Sequence, residues 1–451
     1  MTILYADRVL SADGWLKSAR LHLVDGRIAC IERNVPAQTN DERHAVIVPA
    51  LANLHSHAFQ RGIAGLTETR GPSGDDFWSW RETMYRFALR MSPDQLHAVA
   101  AQAYVEMLES GFGRVGEFHY LHHDLDGRSY ADPGEMAGRI VAAAAATGIA
   151  LTLLPVFYAH SSFGGQAPQP AQRRFVSDLD GYARLIERSR ALVASLPGAI
   201  VGVAPHSLRA VTPTELKEII ELLPNAPVHI HVAEQLKEVN ECLAWSGSTP
   251  VQWLLDHAPV DARWCLVHAT HINERESNGI ASSGAVAGLC PITEANLGDG
   301  LFPAAEYASA GGVFGIGTDS NVCISVRGEL SLLEYSQRLS KRVRNVIGSD
   351  DRSTGAALFE LALRGGAQAL GAADVQIAAG NRADLVSLSV ASPAMLSREE
   401  DALIDSWLFA CASEIVDCVW VNGRKCVEGG HHHRRDQVRS AYDKALSELR
   451  A

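Results

Sequence analysis

The sequence lacks the cysteine spacing of a disulfide framework, and its lysines and arginines are not concentrated in one stretch of the chain. Its eight cysteines are scattered, and none forms a Cys-x-x-Cys pair, which is typical of buried thiols in a reducing compartment. The formal net charge is −12, and an acidic chain without a basic patch is a poor partner for nucleic acid or anionic membranes. We therefore expect neither kind of partner.

The amino terminus lacks a basic n-region, and Asp7 and Arg8 interrupt its apolar residues before an h-region can form. No signal peptide is predicted, and the expected location is the cytoplasm. The longest apolar run, residues 141–158, has a length comparable to a membrane span. Gly148 and Pro155 interrupt this run, so we interpret it as the end of a helix followed by a buried strand.

Strand and helix patterns divide the 451 residues into three parts. Short strands with an Asp25-Gly26 hairpin turn fill residues 1–48, and strands with an Asn422-Gly423 turn return in residues 373–451, before a closing helix. Each end is too small to fold alone, so the two ends are expected to pair in one small β-sandwich domain. Between them, residues 49–372 alternate strands with amphipathic helices.

This alternation predicts an α/β fold, a (β/α)8 barrel of the TIM type. One helix begins with Thr212, Pro213 and Glu215, a capping box with proline at the first helical position. A doubly wound open sheet is the competing architecture, but no Gly-rich phosphate loop follows any strand. The eight candidate strands are 51–55, 113–118, 150–157, 200–204, 228–231, 264–267, 286–290 and 313–317.

Polar side chains follow these strands where each one ends, which is where barrels of this type carry their active sites. His55 and His57 follow the first strand, and side chains two apart on an extended backbone point to one face. His231, His268 and Asp319 close the fifth, sixth and eighth strands. Histidines scattered through a core would not favour one end of the strands, so this agreement indicates a functional site.

A metal shell of three imidazoles and one carboxylate is predicted from His55, His57, His231 and Asp319. This donor set suits one zinc ion and leaves a position for water, although iron or manganese fits the same ligands. A second metal is not expected, because the fourth strand ends in Ala204-Pro205-His206 without the lysine that would bridge two ions.

His268 is the candidate base beside this shell, since its ordinary pKa of about 6.5 suits proton transfer at neutral pH. The alternative is a buried histidine bonded to a backbone carbonyl. Trp78 and Trp80 lie in a long excursion after the first strand, which would cover the barrel mouth. The histidine run at 431–433 is interpreted as an exposed loop. Three further histidines are interpreted as structural: His119, His122 and His123.

Together these residues resemble the amidohydrolase superfamily in its single-zinc deaminase branch. The likeness rests on His55-x-His57, on His231 with Glu234 three residues later, and on His268 and Asp319. It covers nearly the whole chain. More narrowly, residues 54–61, 204–209, 229–235 and 290–300 are similar to the formimidoylglutamate deiminase family. That family converts N-formimidoyl-L-glutamate and water to N-formyl-L-glutamate and ammonia.

The resemblance implies a role for each matching residue. Zinc would be held by His55, His57, His231 and Asp319. His268 would activate water, Glu234 would hydrogen-bond the formimidoyl nitrogen, and Asp319 would share the proton transfers. The glutamate moiety would be bound by Gln60, Arg81, Tyr120, His206 and Arg209. A small dicarboxylate substrate agrees with the physics, because Arg81 and Arg209 each offer a bidentate fork in a protein that is acidic overall. The family also implies a homodimer.

Alternatives to this interpretation stay open. A deaminase of the same architecture that acts on guanine, cytosine or S-adenosylhomocysteine would need apolar slots and amides more than arginines. A catalytically inactive barrel kept as a scaffold is a second alternative, although no ligand is missing. For Arg81, the alternative to substrate binding is a surface salt bridge. Finally, Asn278-Gly279 is a poor helix sequence and puts the helix after the sixth strand in doubt.

Overall fold

The computed structural model describes residues 2–70, 76–348 and 351–450. Four strands come first: β1 (Thr2–Ser11), β2 (Gly14–Val24), β3 (Arg27–Glu32) and β4 (Glu42–Pro49). Strands and helices then alternate: β5 (Leu51–Ser56), α1 (Phe77–Ala88), α2 (Pro93–Glu109), β6 (Phe112–His119), α3 (Glu135–Thr147), β7 (Ala150–Phe157), α4 (Leu179–Val193), β8 (Ile200–Val201), β9 (Ala204–Pro205), α5 (Pro213–Leu222), β10 (Val228–Val232), α6 (Leu236–Ser246), α7 (Pro250–His257), β11 (Trp264–His268), α8 (Glu274–Ser283), β12 (Val286–Leu289), α9 (Pro291–Leu297), α10 (Ala304–Ser309), β13 (Val313–Ile316), α11 (Val326–Lys341) and α12 (Thr354–Ala369). The remaining elements are β14 (Leu385–Leu388), α13 (Asp401–Asp405), β15 (Val416–Val421), β16 (Arg424–Glu428), β17 (His431–His432) and α14 (Arg435–Arg450). Among the described residues, no helix combines the length and the apolar character that crossing a membrane requires.

Strands β5 to β13 form a closed parallel barrel with eight positions, because the fourth position is divided between β8 and β9. Parallel pairing joins β5-β6-β7-β8 and β10-β11-β12-β13, and β9 pairs with β7. A bridge between Val203 and Val228 joins the fourth position to the fifth, and a bridge between Ser56 and Asp319 joins the last strand to the first. Every residue of β5, β6 and β7 is buried. The predicted (β/α)8 barrel is thus confirmed.

The two ends of the chain share one sheet of eight strands, in the order β17-β16-β15-β14-β4-β1-β2-β3. Strand β14 runs antiparallel to β4 with Val386 opposite Val48, and this pairing joins the two ends as expected. The hairpin turns Asp25-Gly26 and Asn422-Gly423 have positive φ at both residues, which the primed turns of two-residue hairpins require. The sheet has its own apolar core, which includes Leu21 and Trp420.

The helix that Asn278-Gly279 put in doubt forms as α8. Asn273 caps it by accepting the backbone N–H of Glu276 at 3.0 Å, and the Glu276 carboxylate accepts the N–H of Asn273 at 2.9 Å. A capping box of this kind offsets a weak interior. Gly279 also has a packing reason, because a Cβ there would lie 2.5 Å from Leu255 Cδ1 on the neighbouring helix α7.

The prediction of an exposed loop at 431–433 is wrong for His432, whereas the side chains of His431 and His433 are exposed. His431 and His432 form the short strand β17, and the His432 side chain is buried. Its Nε2 lies 2.8 Å from the carbonyl oxygen of Thr147 at the end of α3. The ring therefore satisfies one of the carbonyls that a helix end leaves without a partner, and it ties the sheet to the barrel.

The closing helix α14 packs against α2 of the barrel. The Tyr442 hydroxyl donates to the carbonyl oxygen of Arg61 at 3.1 Å, and the Arg61 guanidinium donates to the carbonyl oxygen of Asn321 at 2.9 Å. Arg61 lies in the 3₁₀ turn Ala58–Ile63, which begins directly after His57. The last helix of the chain thus supports the turn that leads away from the first strand of the barrel.

Candidate active site

The structure brings the predicted polar residues to one end of the barrel. His55 lies in β5 with His57 just after it, His231 lies in β10, His268 ends β11, and Asp319 follows β13. Backbone bonds tie the first strand to the last, since the His57 N–H donates to the Asp319 carbonyl and the Asp319 N–H to the His55 carbonyl, each at 2.9 Å. Residues far apart in the sequence are therefore fixed side by side.

Three imidazoles and one carboxylate face a common point, with their donor atoms all within 4.8 Å of one another: His55, His57, His231 and Asp319. Nε2 of His55 lies 3.2 Å from Nε2 of His57 and 3.0 Å from Nε2 of His231. Oδ1 of Asp319 lies 3.3 Å from Nε2 of His55 and 3.1 Å from Nε2 of His57. At the usual zinc–nitrogen length, ligand atoms around a tetrahedral ion lie roughly 3.3 Å apart. The four residues thus fit one divalent ion.

The other nitrogens of two of these rings fix their orientation. His57 Nδ1 donates to the carbonyl oxygen of Phe118 at 2.9 Å, and His231 Nδ1 donates to that of His206 at 3.1 Å. A proton held on Nδ1 leaves the Nε2 lone pair free for a metal. Burial lowers the pKa of His55 to about 3 and holds the pKa of His231 well below its ordinary value. The rings of His55 and His231 are therefore neutral, as metal ligands must be.

Asp319 supplies the negative charge of this cluster. Burial raises the pKa of Asp319, but its contacts with His55 and His57 outweigh burial and hold the pKa well below its ordinary value. The carboxylate is therefore ionised at neutral pH. A buried carboxylate facing three imidazoles is a donor set that suits a divalent cation.

His268 lies between carboxylates on both sides of its ring. Its Nε2 is 3.7 Å from Glu234 Oε1 and 4.0 Å from Asp319 Oδ2, and its Nδ1 is 3.2 Å from Glu294 Oε1. Burial lowers the pKa of His268, but these three carboxylates outweigh burial and raise the pKa to about 10. The carboxylates around the ring therefore favour its protonated form. Burial raises the pKa of Glu234 to about 7, so this carboxyl group can hold or release a proton near neutral pH.

Sequence analysis missed two acidic residues beside this ring, Glu294 and Asp299. Both fall in the segment 290–300, which carried the resemblance but was given no role. Asp299 accepts a hydrogen bond from the Gln235 side chain, and burial together with the charge of Glu234 raises its pKa to about 9. The available signal was two acidic residues in a short segment that directly follows the seventh predicted strand, at the reactive end of the barrel.

A cavity opens beside the metal-site residues, and His57, His231 and Asp319 form part of its lining. It is lined by all five residues predicted to bind substrate: Gln60, Arg81, Tyr120, His206 and Arg209. Gln60 Nε2 donates to the Tyr120 hydroxyl at 2.8 Å, which fixes both side chains. Helix α1, which lies in the excursion after the first strand, contributes an aromatic wall through Phe77 and Trp80.

Arg81 and Arg209 reach this cavity, and the carboxylates of Glu234 and Glu238 act on the charge of Arg209 only from beyond ion-pair distance. Within residues 2–70, 76–348 and 351–450, neither guanidinium forms a hydrogen bond or an ion pair, and Nε of Arg209 is buried without a partner. Both lie near the Trp78 ring, with Cζ 4.5 Å (Arg81) and 5.9 Å (Arg209) from its centroid. The expected alternative for Arg81, a surface salt bridge, is therefore not found among those residues. Two unpaired cations at one cavity favour an anionic ligand.

Four residues at the strand ends adopt the left-handed backbone conformation that favours glycine. The φ angles are 52° at Ala233, 69° at His268, 46° at Ala269 and 43° at Asp319. Such a conformation costs of order 1–3 kcal/mol for each non-glycine residue. Glu234, His268 and Asp319 all line the same cavity. The backbone is therefore strained at the positions that bring these side chains together.

The fold and the site together define a class. A (β/α)8 barrel with three buried histidines, one carboxylate and a further histidine at the carboxyl ends of its strands has the donor set of a metal-dependent hydrolase. A model of the amidohydrolase family matches residues 46–426, and the chain belongs to that family. A second family model, described as the N-terminal domain of formimidoylglutamate deiminase HutF, matches residues 1–45.

Individual relatives agree with this assignment. The chain is 48% identical to formimidoylglutamate deiminase of Pseudomonas aeruginosa, over 100% of both chains. Its structure superposes on the crystal structure of an amidohydrolase from Brucella melitensis with a TM-score of 0.97 and 56% identity, over 100% of both chains. An adenosine deaminase from Xanthomonas campestris with bound zinc shares the fold, with a TM-score of 0.84 at 19% identity, over 100% of this chain and 98% of that one.

Proposed function

We propose that this protein hydrolyses N-formimidoyl-L-glutamate to N-formyl-L-glutamate and ammonia, a reaction of histidine degradation. The observation that carries the proposal is the pair of arginines, Arg81 and Arg209, that reach the cavity without a hydrogen bond or ion pair to any of the described residues. A dicarboxylate supplies two such charges, and each guanidinium can bind a carboxylate with two hydrogen bonds. The full-length likeness to a formimidoylglutamate deiminase supports the same substrate.

The resident metal is proposed to be one zinc ion, with iron or manganese as alternatives for the same donors. Its ligands are His55, His57, His231 and Asp319, whose spacing fits a tetrahedral ion. When bound, the ion supplies Lewis acidity, which makes water a nucleophile at neutral pH. A solved structure of the same fold carries zinc, which supports this choice of metal.

Three side chains of this protein are proposed to move the protons. His268 Nε2 takes a proton from the water that attacks the formimidoyl carbon, and the adjacent carboxylates favour the protonated ring. Glu234 hydrogen-bonds the terminal nitrogen of the formimidoyl group and, with a pKa of about 7, can deliver a proton to it. Asp319 Oδ2, which lies 4.0 Å from His268 Nε2, shares these transfers. The bond between carbon and the terminal nitrogen then breaks, and ammonia leaves.

The glutamate moiety is proposed to occupy the cavity beside these groups. Arg81 and Arg209 bind its carboxylates, and Gln60, Tyr120 and His206 complete the polar lining. Burial, together with the positive charge of Arg209, holds the pKa of His206 well below its ordinary value, so this ring stays neutral. It can then accept or donate a hydrogen bond without adding charge.

A comparison of substrates tests this function. The zinc-loaded full chain is incubated with N-formimidoyl-L-glutamate, guanine, cytosine and S-adenosylhomocysteine, and ammonia release is measured in a coupled assay. We expect turnover of N-formimidoyl-L-glutamate alone. Turnover of a nucleobase or nucleoside instead would replace the proposal with the same-fold alternative. Absence of any turnover, together with failure of the purified chain to bind added zinc, would favour the inactive scaffold. A homodimer and a cytoplasmic location remain predictions, to be measured by light scattering and by cell fractionation.

A further inference from the structure

We propose that Glu294 is a positioning residue that keeps the proton of His268 on Nδ1 and so aims the Nε2 lone pair into the cavity. Glu294 itself does not line the cavity. It acts through His268, and the inference therefore rests on the role proposed above for that ring. Neither the family comparison nor the sequence prediction gave Glu294 a role.

The geometry places one carboxylate oxygen between two donors. Glu294 Oε1 accepts the backbone N–H of Cys290 at 2.9 Å, and the same oxygen lies 3.2 Å from Nδ1 of His268. An amide N–H is always a donor, so this oxygen is held as an acceptor. Nδ1 of His268 must then carry a hydrogen to complete the pair. A neutral imidazole protonated on Nδ1 has its lone pair on Nε2.

The other side of the ring needs that lone pair. Nε2 of His268 faces Glu234 Oε1 and Asp319 Oδ2 across the cavity, at 3.7 Å and 4.0 Å. With the proton on Nε2 instead, the ring could not accept one from water at this position. Whenever the ring is neutral, Glu294 thus selects the tautomer of His268 that can accept a proton on Nε2, in the way that a partner on one ring nitrogen sets the other.

Backbone strain makes this restraint necessary. His268 and Ala269 both have left-handed φ angles, 69° and 46°. A non-glycine residue keeps this conformation only when contacts with the surrounding structure stabilise it. Glu294 approaches from α9, where Asp299 N–H donates to the Glu294 carbonyl at 2.9 Å. Glu294 is buried, with 5% of the residue exposed, and its hydrogen bonds are therefore shielded from competing water.

Two substitutions at this position separate orientation from charge. Glu294→Gln keeps an oxygen that the Cys290 N–H will fix as acceptor, so the restraint on Nδ1 is retained and only the charge is lost. Glu294→Ala removes both. The matched control is Glu329→Gln, because Glu329 is also buried and accepts a backbone N–H, that of Ile292, at 2.9 Å. Its carboxylate forms no hydrogen bond or ion pair with His268 in the described part of the chain.

Kinetics on the zinc-loaded full chain give the first test. We expect Glu294→Ala to lower kcat roughly 10–100-fold, the usual range for such supporting partners, with KM and zinc content close to those of the unchanged enzyme. Glu294→Gln should recover most of the lost rate, and Glu329→Gln should behave as the unchanged enzyme. An unchanged kcat in Glu294→Ala, or a Glu294→Gln enzyme as slow as Glu294→Ala, would overturn the proposal.

Nitrogen-15 NMR of histidine-labelled holoenzyme gives a second test that does not depend on substrate or on the folding of Glu294→Ala. The His268 signals are assigned with the His268→Asn variant. We expect Nδ1 to keep its proton throughout the pH range of activity in the unchanged enzyme and in Glu294→Gln. A neutral ring with its proton on Nε2 would contradict the inference. If the enzyme does not turn over N-formimidoyl-L-glutamate, the proposed function fails while this measurement still decides the role of Glu294.

Discussion

Replacing Arg209 by methionine tests the electrostatic basis of substrate binding. The Arg209 side chain is 7% exposed with Nε unpartnered, so the variant removes a desolvated charge but preserves most of the volume. Two hydrogen bonds between charged groups contribute about 1.5–3 kcal/mol each. We take a net loss of about 3 kcal/mol, near the lower end, because water can enter in place of the guanidinium. At about 1.4 kcal/mol for each tenfold change, this corresponds to roughly a 100-fold loss of kcat/KM.

The assay is a thermodynamic cycle between enzyme and substrate. Ammonia release is measured with N-formimidoyl-L-glutamate, with its γ-amide and with N-formimidoyl-4-aminobutyrate, which lacks the α-carboxylate. If Arg209 binds one carboxylate, the substrate that lacks this carboxylate already has a reduced kcat/KM with the unchanged enzyme. Replacing Arg209 should then lower kcat/KM for that substrate only slightly further. Arg190→Met is the control, since Arg190 is exposed on α4 and does not line the cavity.

Two results would refute this reasoning. One is a kcat/KM for Arg209→Met equal to that of the control. The other is the same loss for all three substrates, because a uniform loss would mean that Arg209 acts on the fold or on the chemistry and not on a carboxylate. The same cycle applied to Arg81 should then show that Arg81 binds the other carboxylate of the substrate.

Three further predictions concern the base, the metal and pH. His268→Asn should retain zinc and lower kcat by about 10²–10⁴-fold, and near-normal ammonia release would show that another group is the base. Chelation should lower the melting temperature in a fluorimetric scan, and added zinc should restore it. Free zinc at 100 times its Kd stabilises the folded state by about 2.7 kcal/mol. An unchanged melting temperature would contradict metal binding to the folded chain. Burial lowers the pKa of His119 to about 3 and of His229 to about 4, whereas unfolded histidine titrates near 6.5. The unfolded chain therefore binds more protons below pH 6.5, and urea titrations should show the free energy of unfolding falling with pH from 6.5 toward 4, by at most about 1.4 kcal/mol per pH unit for each group. His119→Phe should reduce that slope, and an equal slope would contradict the assignment.

The parts of the fold that sequence predicts well are those that local rules determine. Thr212 and Glu215 form the expected capping box at the start of α5. His55 and His57 face one point because side chains alternate along a strand. The placement of polar residues at strand ends also follows from the barrel pattern alone, because parallel strands direct all their carboxyl ends to one face.

What sequence did not reveal depends on contacts between distant segments. Glu294 meets His268 only because α9 returns across the end of β11, and no local pattern encodes that distance. His432 is buried because the sheet docks on the end of α3, although its neighbours are polar. Gly279 is unfavourable for a helix by propensity, yet the close approach of the Leu255 side chain favours it. In each case tertiary packing overrides a correct local rule.

The left-handed residues at the strand ends have a consequence for directed evolution. Glycine relieves the steric cost of that conformation, so Ala233→Gly and Ala269→Gly are among the simplest routes to a more heat-resistant variant. Each would also loosen the backbone that aims Glu234 or His268. A screen for thermal tolerance alone should therefore enrich slow enzymes at these two positions, whereas a screen that also demands turnover should leave both alanines in place.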